Sequence, residues 1–384
     1  MSQRAAAPDA APLAIVLSGG GARGAYQVGV LRHILQRLPD LPIPIFTGVS
    51  SGAINAAFLA GRTGDLGEAL EALCDHWCSL TTARVMRSNA APMLLNALRI
   101  GIRLASGGSR LAPTVHGMVD TDPLRQFLAP LLDPDAVDEN VRSGRLRALA
   151  ISATSYRTGR IVTFVQADPE ISMWERVRRK SVPARIDVDH VMASAAIPLF
   201  FPARQVKGEY FGDGGIRESY PLAPAVHLGA RRILAVSSRS RLTSEAAPGS
   251  AVDEYPPAAR VIGLLLNSIF LDNLDVDAER LLRINHLVSR VAPSRRWLLA
   301  EREVRLLVLR PSADISRLAE AHEAHLPRTV RFLVRGLGSA NVSHSDLLSY
   351  ILFEPQYLSH LIRLGEDDAR RQWGRIRRFL DLES

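Results

Sequence analysis

The sequence predicts an α/β fold with a central, mostly parallel sheet, followed by a helical C-terminal region. Two observations predict the sheet. A short apolar run, a glycine-rich break and a helical pattern succeed one another at residues 13–38 and again at 43–60. Strand, tight turn and helix in repetition is how a chain builds parallel strands, because each helix carries it back across the sheet. A third observation predicts the helical region: no β-like run follows Asp314.

The first strand is Leu13–Leu17, broken at Ser18-Gly19-Gly20-Gly21. Val28, Leu31, Leu35 and Leu38 then recur at helical spacing, and that helix closes near Pro39. The second strand, Ile43–Val49, breaks at Ser50-Ser51-Gly52 and leads into a helix over Ala53–Ala60. Further strands are expected at Leu146–Ile151, Ile161–Val165, Ile233–Val236 and Val304–Leu309. Helical patterns lie at Asp187–Ala196, in one long stretch near Ala258–Asn285, and at Asp346–Phe353 and Trp373–Leu380. The chain thus divides into a disordered tail at 1–11, an α/β domain at 12–312 and a helical region at 313–384, with a flexible insertion expected over 240–257.

With 384 residues, 47% hydrophobic and 22% charged, a sizeable core is expected. The balance of 47 basic and 39 acidic residues gives +8, which favours an anionic partner, nucleic acid or acidic membrane, or else simply marks a solvated surface. Only Cys74 and Cys78 occur, four apart on one helical face, which reads as an apolar thiol pair rather than a disulfide framework or metal site. The N-terminus lacks a signal-peptide apolar run, and no window suits a spanning helix. The expected location is the cytoplasm, with any membrane contact peripheral.

The candidate nucleophile is Ser50, in Gly48-Val49-Ser50-Ser51-Gly52 between strand and helix. A sharp turn there lifts the hydroxyl above the sheet edge, and the glycines permit strained backbone and close helix packing. The following helix N-terminus favours a developing anion. Gly19-Gly20-Gly21-Ala22-Arg23-Gly24 sits at the equivalent break after the first strand. Such a turn bares backbone N–H groups and cradles negative charge, as an oxyanion hole does. Gly19, Gly21 and Gly24 also fit the G-x-G-x-x-G of a dinucleotide-binding protein, the alternative function. That alternative needs an acidic residue closing the second strand, whereas Asp40 precedes that strand. No Gly-Lys-Ser/Thr follows, which excludes a P-loop.

Ser50 needs a base. Ten histidines are scattered through the chain, none in a turn after a strand with small neighbours. Phe211-Gly212-Asp213-Gly214-Gly215 stands out instead, although alone it would read as an Asp-Gly turn. It follows Ala195-Ala196-Ile197-Pro198 and precedes Glu218-Ser219-Tyr220-Pro221-Leu222.

Taken together, these residues resemble the patatin-like phospholipases, whose signature is a G-G-G-x-R-G loop, a G-x-S-x-G elbow and a D-G-G or D-G-A box. All three occur in order, at Gly19–Gly24, Gly48–Gly52 and Asp213–Gly215. The resemblance is strong over 12–240 and weaker to about residue 370, where Asp346-Leu347-Leu348-Ser349-Tyr350 also fits. It implies a three-layer α/β/α fold and a Ser–Asp dyad without histidine. Ser50 would attack an ester carbonyl, Asp213 would take its proton, and Gly20 and Gly21 N–H groups would hold the oxyanion. Arg23 would fix the loop or add positive potential. An aspartate with a pKa of about 3.9 is a weak base, so proximity to Ser50 is expected to supply most of its effect. The resemblance implies a phospholipid or other acyl-ester lipid as substrate, no metal or cofactor, and no nucleic-acid partner.

Residues 77–118 contain no carboxylate but five arginines, Arg84, Arg87, Arg99, Arg103 and Arg110. Within them Pro92–Ala105 reads as a basic amphipathic helix, suited to an anionic bilayer or to capping the core. Arg370, Arg371, Arg375, Arg377 and Arg378 around Trp373 form a second cluster, read rather as a solvated helix face.

Overall fold

The computed structural model describes residues 11–87, 102, 106–107, 117–198, 200–240, 258–270, 272–299, 301–336 and 346–382. The expected amphipathic helix at 92–105 and the insertion at 240–257 lie almost entirely outside the described residues.

Among the described residues ten strands form one sheet: β1 Leu13–Leu17, β2 Ile45–Val49, β3 Ala148–Ser155, β4 Ile161–Ala167, β5 Glu175–Arg176, β6 Arg179–Pro183, β7 Arg204–Val206, β8 Glu209–Asp213, β9 Arg232–Val236 and β10 Arg305–Leu309. Their order is β10-β9-β1-β2-β3-β4-β6-β5, and β10 through β3 run parallel. The sheet turns antiparallel at β3–β4. The β5–β6 and β7–β8 pairs are not among the strands the apolar runs predict. They are short and partly exposed, so they carry little of the apolar signal that marks a buried parallel strand.

Alternating residues of β1 divide the core. Leu13, Ile15 and Leu17 face one cluster with Phe46, Leu149 and Ile151, while Ala14 and Val16 face another with Ile45, Ala148 and Ala150. The first face is covered by α1 (Gly24–Arg37), α2 (Ser51–Ala60) and α3 (Leu66–Cys78). On the sheet's other side sit Leu222, Leu274 and Leu281. The result is helix, sheet, helix in three layers. Two helices, α5 (Ala258–Phe270) and α6 (Asp272–Ser289), occupy the stretch where the periodicity predicts one. α4 (Val188–Ser194) is closed by an Asp187 capping box.

The chain beyond residue 312 is helical among the described residues, with α7 (Ile315–His322), α8 (Asp346–Ile351) and α9 (Pro355–Arg371) joining the same apolar cluster as α1. The packing of α9 on α1 is backbone-close: a Cβ on Gly29 would sit 1.9 Å from the Ile362 carbonyl oxygen. Cys74 is buried, which pushes its thiol up to about 12, and Cys78 accepts a hydrogen bond from Ser359; both are free thiols. No described helix is long and apolar enough to cross a membrane.

Candidate active site

Ser50 stands between the last residue of β2 and the first of α2, at φ 55° and ψ −126°. A non-glycine residue there is strained, and the surrounding packing must hold it. Two glycines make that packing possible. A Cβ on Gly48 would lie 2.3 Å from the Gly52 carbonyl oxygen, and one on Gly52 would lie 2.2 Å from that of Leu17. The turn therefore closes directly on β1, and α2 begins at Ser51 rather than Ala53. Ser194, at the end of α4, locks it: its hydroxyl accepts the Ser50 N–H (3.0 Å) and donates to the Ser152 carbonyl (2.7 Å). Within the helical pattern at Asp187–Ala196, the small neighbours Ala193, Ala195 and Ala196 are the one sequence signal for Ser194.

The position of Asp213 follows from strand lengths. β2 pairs with β3 up to Val49 opposite Ser152, where the elbow leaves the sheet. β3 continues to Ser155, and β8 takes the vacated edge in antiparallel fashion, with Asp213 opposite Ala153. One edge of β3 thus carries the end of β2 and then the end of β8, bringing Ser50 and Asp213 together. Asp213 is fully buried, and one oxygen accepts the Gly215 N–H at 2.9 Å. Burial pushes its carboxyl up to about 7, against smaller lowering effects of Ser50 and the Gly215 N–H. The Ser50 hydroxyl is near enough to exert that effect, yet Oδ2 has no completed hydrogen bond.

The glycine loop starts where β1 stops pairing with β9, at Ser18 N–H to Val236 O. Gly20 and Gly21 have φ of 156° and 56°, and Gly21 packs so tightly that a Cβ would meet the Tyr350 carbonyl oxygen at 2.2 Å. Gly24 opens α1 beside Ser51. The Arg23 guanidinium is buried and turned into the C-terminal helices. It donates to Ser349 Oγ (2.6 and 2.8 Å) and Ser316 Oγ (3.1 Å), pairs with Asp346 (3.2 Å) and lies 4.4 Å over the Tyr350 ring. Its bonds are those of an anchor. Gly214 opens the turn after Asp213 and packs against Ser152 and Val49.

A cavity of about 640 Å³ opens at Ser50, Ser51 and Gly21. Its walls are apolar, with Ile54, Phe58, Leu73, Trp77, Phe127 and Phe201 prominent, and His76 stands edge-on to Phe58 and Phe127. No histidine among the described residues hydrogen-bonds to Ser50 or Asp213: His190 holds the Asp187 cap, His227 stacks on Trp174, and His322 meets His360. The dinucleotide alternative fares poorly, since β2 ends at Val49 and Ser50 follows it where a ribose-binding carboxylate would stand.

A second cavity, of about 480 Å³, lies on the opposite face of the sheet, behind the elbow. Its walls include Thr47, Ser152, Glu218 and Asn273. Glu218 is buried, and burial pushes its carboxyl up to about 7 as well, against a lowering effect of Ser152.

The family model described as patatin-like phospholipase matches residues 15–226, more than half of the chain. The chain belongs to the patatin-like phospholipase family, a family of lipid ester hydrolases. No curated protein matches it significantly. Among solved structures it is similar to human GIVD cytosolic phospholipase A2 in complex with methyl gamma-linolenyl fluorophosphonate, at 15% identity and TM-score 0.46, covering 99% of this chain and 60% of that one. It is also similar to VipD from Legionella pneumophila (14%, TM-score 0.33, 97% and 67% covered). A third is ExoU in the ExoU–SpcU complex of Pseudomonas aeruginosa (14%, TM-score 0.29, 94% and 76% covered). The chain therefore spans about three fifths of the human phospholipase chain.

Proposed function

We propose that this chain is a serine acyl hydrolase that cleaves fatty-acyl esters of phospholipids or similar lipids through Ser50 and Asp213. The observation that carries the reading is the shared β3 edge, which sets a strained elbow serine beside a buried carboxylate at the mouth of an apolar cavity. The acyl chain enters that cavity, whose walls offer few polar groups to compete. Ser50 Oγ attacks the ester carbonyl as its proton passes to Asp213. The oxyanion is held by N–H groups of the Gly19–Gly21 loop, with the α2 N-terminus adding its field. Asp213 returns the proton to the departing alcohol, and water then releases the acyl-enzyme by the same route in reverse.

Burial modifies the sequence-based expectation about the base. An ordinary aspartate relies on proximity alone, whereas a carboxyl near 7 also has basicity matched to neutral pH. Contact with the lipid surface is peripheral. The reading is tested by labelling the protein with a fluorophosphonate, mapping the modified peptide, and assaying a lipid panel by mass spectrometry. Labelling at Ser50 with fatty-acid release is the expected result; labelling at another serine sinks the assignment.

A further inference from the structure

Two fully buried amides join the ends of the glycine loop. Gln27 of α1 donates to the Ser18 carbonyl at 2.7 Å, and Asn55 of α2 donates to the Gly24 carbonyl at 3.1 Å. Asn55 also donates to the Gln27 oxygen at 3.1 Å, which links the two side chains. The Asn55 oxygen accepts the indole N–H of Trp77 at 2.9 Å, and Trp77 is a wall of the cavity at Ser50. A flip of either amide would set donor against donor and acceptor against acceptor, so the pair has one orientation. A buried network satisfied in this way is rigid. Packing alone gives no reason for it: apolar side chains of similar volume fill such space without the desolvation that burying an amide costs.

We propose that Gln27 and Asn55 are positioning residues of the acyl-transfer reaction, which fix the glycine loop in the shape that receives the oxyanion. The proposal rests on the reading of Ser50 as nucleophile and of this loop as its oxyanion hole. Such a hole works by being set before charge develops, and a displacement of about an ångström is costly. Three groups of contacts set this one. The Ser18 hydroxyl donates to the Val236 carbonyl and accepts the Ser238 N–H, which ties the loop to the end of β9. Arg23 ties it to the C-terminal helices. The amide pair ties it to α2, the helix that starts at the nucleophile, and through Trp77 to the cavity wall.

The test uses the whole chain with Gln27→Met and, separately, Asn55→Leu, which keep the volume of each side chain and remove its hydrogen bonds. Hydrolysis of p-nitrophenyl butyrate is measured beside inhibition by a trifluoromethyl ketone with a propyl chain. The Ser50 oxygen adds to that ketone carbonyl as Asp213 takes the serine proton, and the carbonyl oxygen becomes an oxyanion. In each folded variant kcat should fall about tenfold to a hundredfold, less than for outright loss of an oxyanion donor. KM should stay within about twofold, and inhibition should weaken by the same factor as kcat, because both report the oxyanion. A role in stability alone would lower Tm and leave those two factors unmoved. Folded variants with kcat within about twofold of wild type, or with a loss in KM and undiminished inhibition, overturn the assignment. So does failure of both variants to fold by circular dichroism, which makes the pair a stability element. Absence of hydrolysis in the wild type is the failure of the hydrolase reading and takes the inference with it. Wild-type hydrolysis that both variants retain in full is the failure of this inference only.

Discussion

Two carboxylates, Asp213 and Glu218, lie five residues apart on one loop, both buried and both pushed up to about 7 by burial. They serve different faces of the sheet. Asp213 sits at the end of β8 beside the elbow and the first cavity, whereas Glu218 lines the second cavity behind it with Thr47 and Ser152. Glu218 is also influenced by Asp277 and Arg179, neither of which offers a substrate carbonyl a nucleophile. A raised pKa is thus a mark of burial, and only the strained Ser50 beside it singles out Asp213 as the proposed base.

The sharpest break of that comparison is in turnover. Ser50→Ala and Asp213→Asn are each expected to lower kcat about 10³-fold or more, measured on a medium-chain ester with the fold checked by circular dichroism. Glu218→Gln is expected to leave kcat within about twofold, and an equal loss in both carboxylate variants would erase the distinction. The pH profile comes next. A base must be ionised to accept the serine proton, so kcat/KM should fall as pH drops through about 7. Glu218→Gln should leave that limb in place; its disappearance would transfer the role to Glu218.

A smaller effect is expected at Ser194, whose hydroxyl bridges Ser50 N–H and the Ser152 carbonyl. Ser194→Ala should cost roughly 1–2 kcal/mol of stability and up to about tenfold in kcat, read by denaturant unfolding and steady-state rates. The last effect is on stability alone. Both carboxyls hold their protons more tightly folded than unfolded, so stability is greatest below their ordinary pKa and declines as pH rises through about 7. Glu218→Gln should remove Glu218's share of that decline, at most about 3 kcal/mol, and appear as a Tm gain in mildly alkaline buffer that vanishes in mildly acidic buffer. A gain that persists in acid would show that packing, not ionisation, is responsible.

The elbow was legible because all its determinants are local: an apolar strand, two glycines and a helix within about twenty residues. The glycine loop was legible for the same reason. Asp213 was reached only through family resemblance, since its placement depends on β8 pairing with β3 across some sixty residues. One local clue to that pairing did exist. Lys207 and Gly208, with φ of 49° and 81°, form the two-residue turn of a hairpin between β7 and β8. Ser194 and the C-terminal partners of Arg23 were illegible, because hydrogen bonds spanning 144 to 326 residues leave no periodicity to read. The large apolar cavity was equally hidden, being assembled from α2, α3 and residues 124–132 and 195–201.

Arg23 carries a consequence for biosynthesis. The side chain that steadies the glycine loop is held by Ser316, Asp346 and Ser349, up to 326 residues further along the chain. A nascent chain emerging from the ribosome N-terminus first therefore displays Ser50 and Asp213 long before Arg23 has anything to anchor the glycine loop to. A polypeptide lacking the helices from Ser316 onward would leave the glycine loop without its Arg23 anchor.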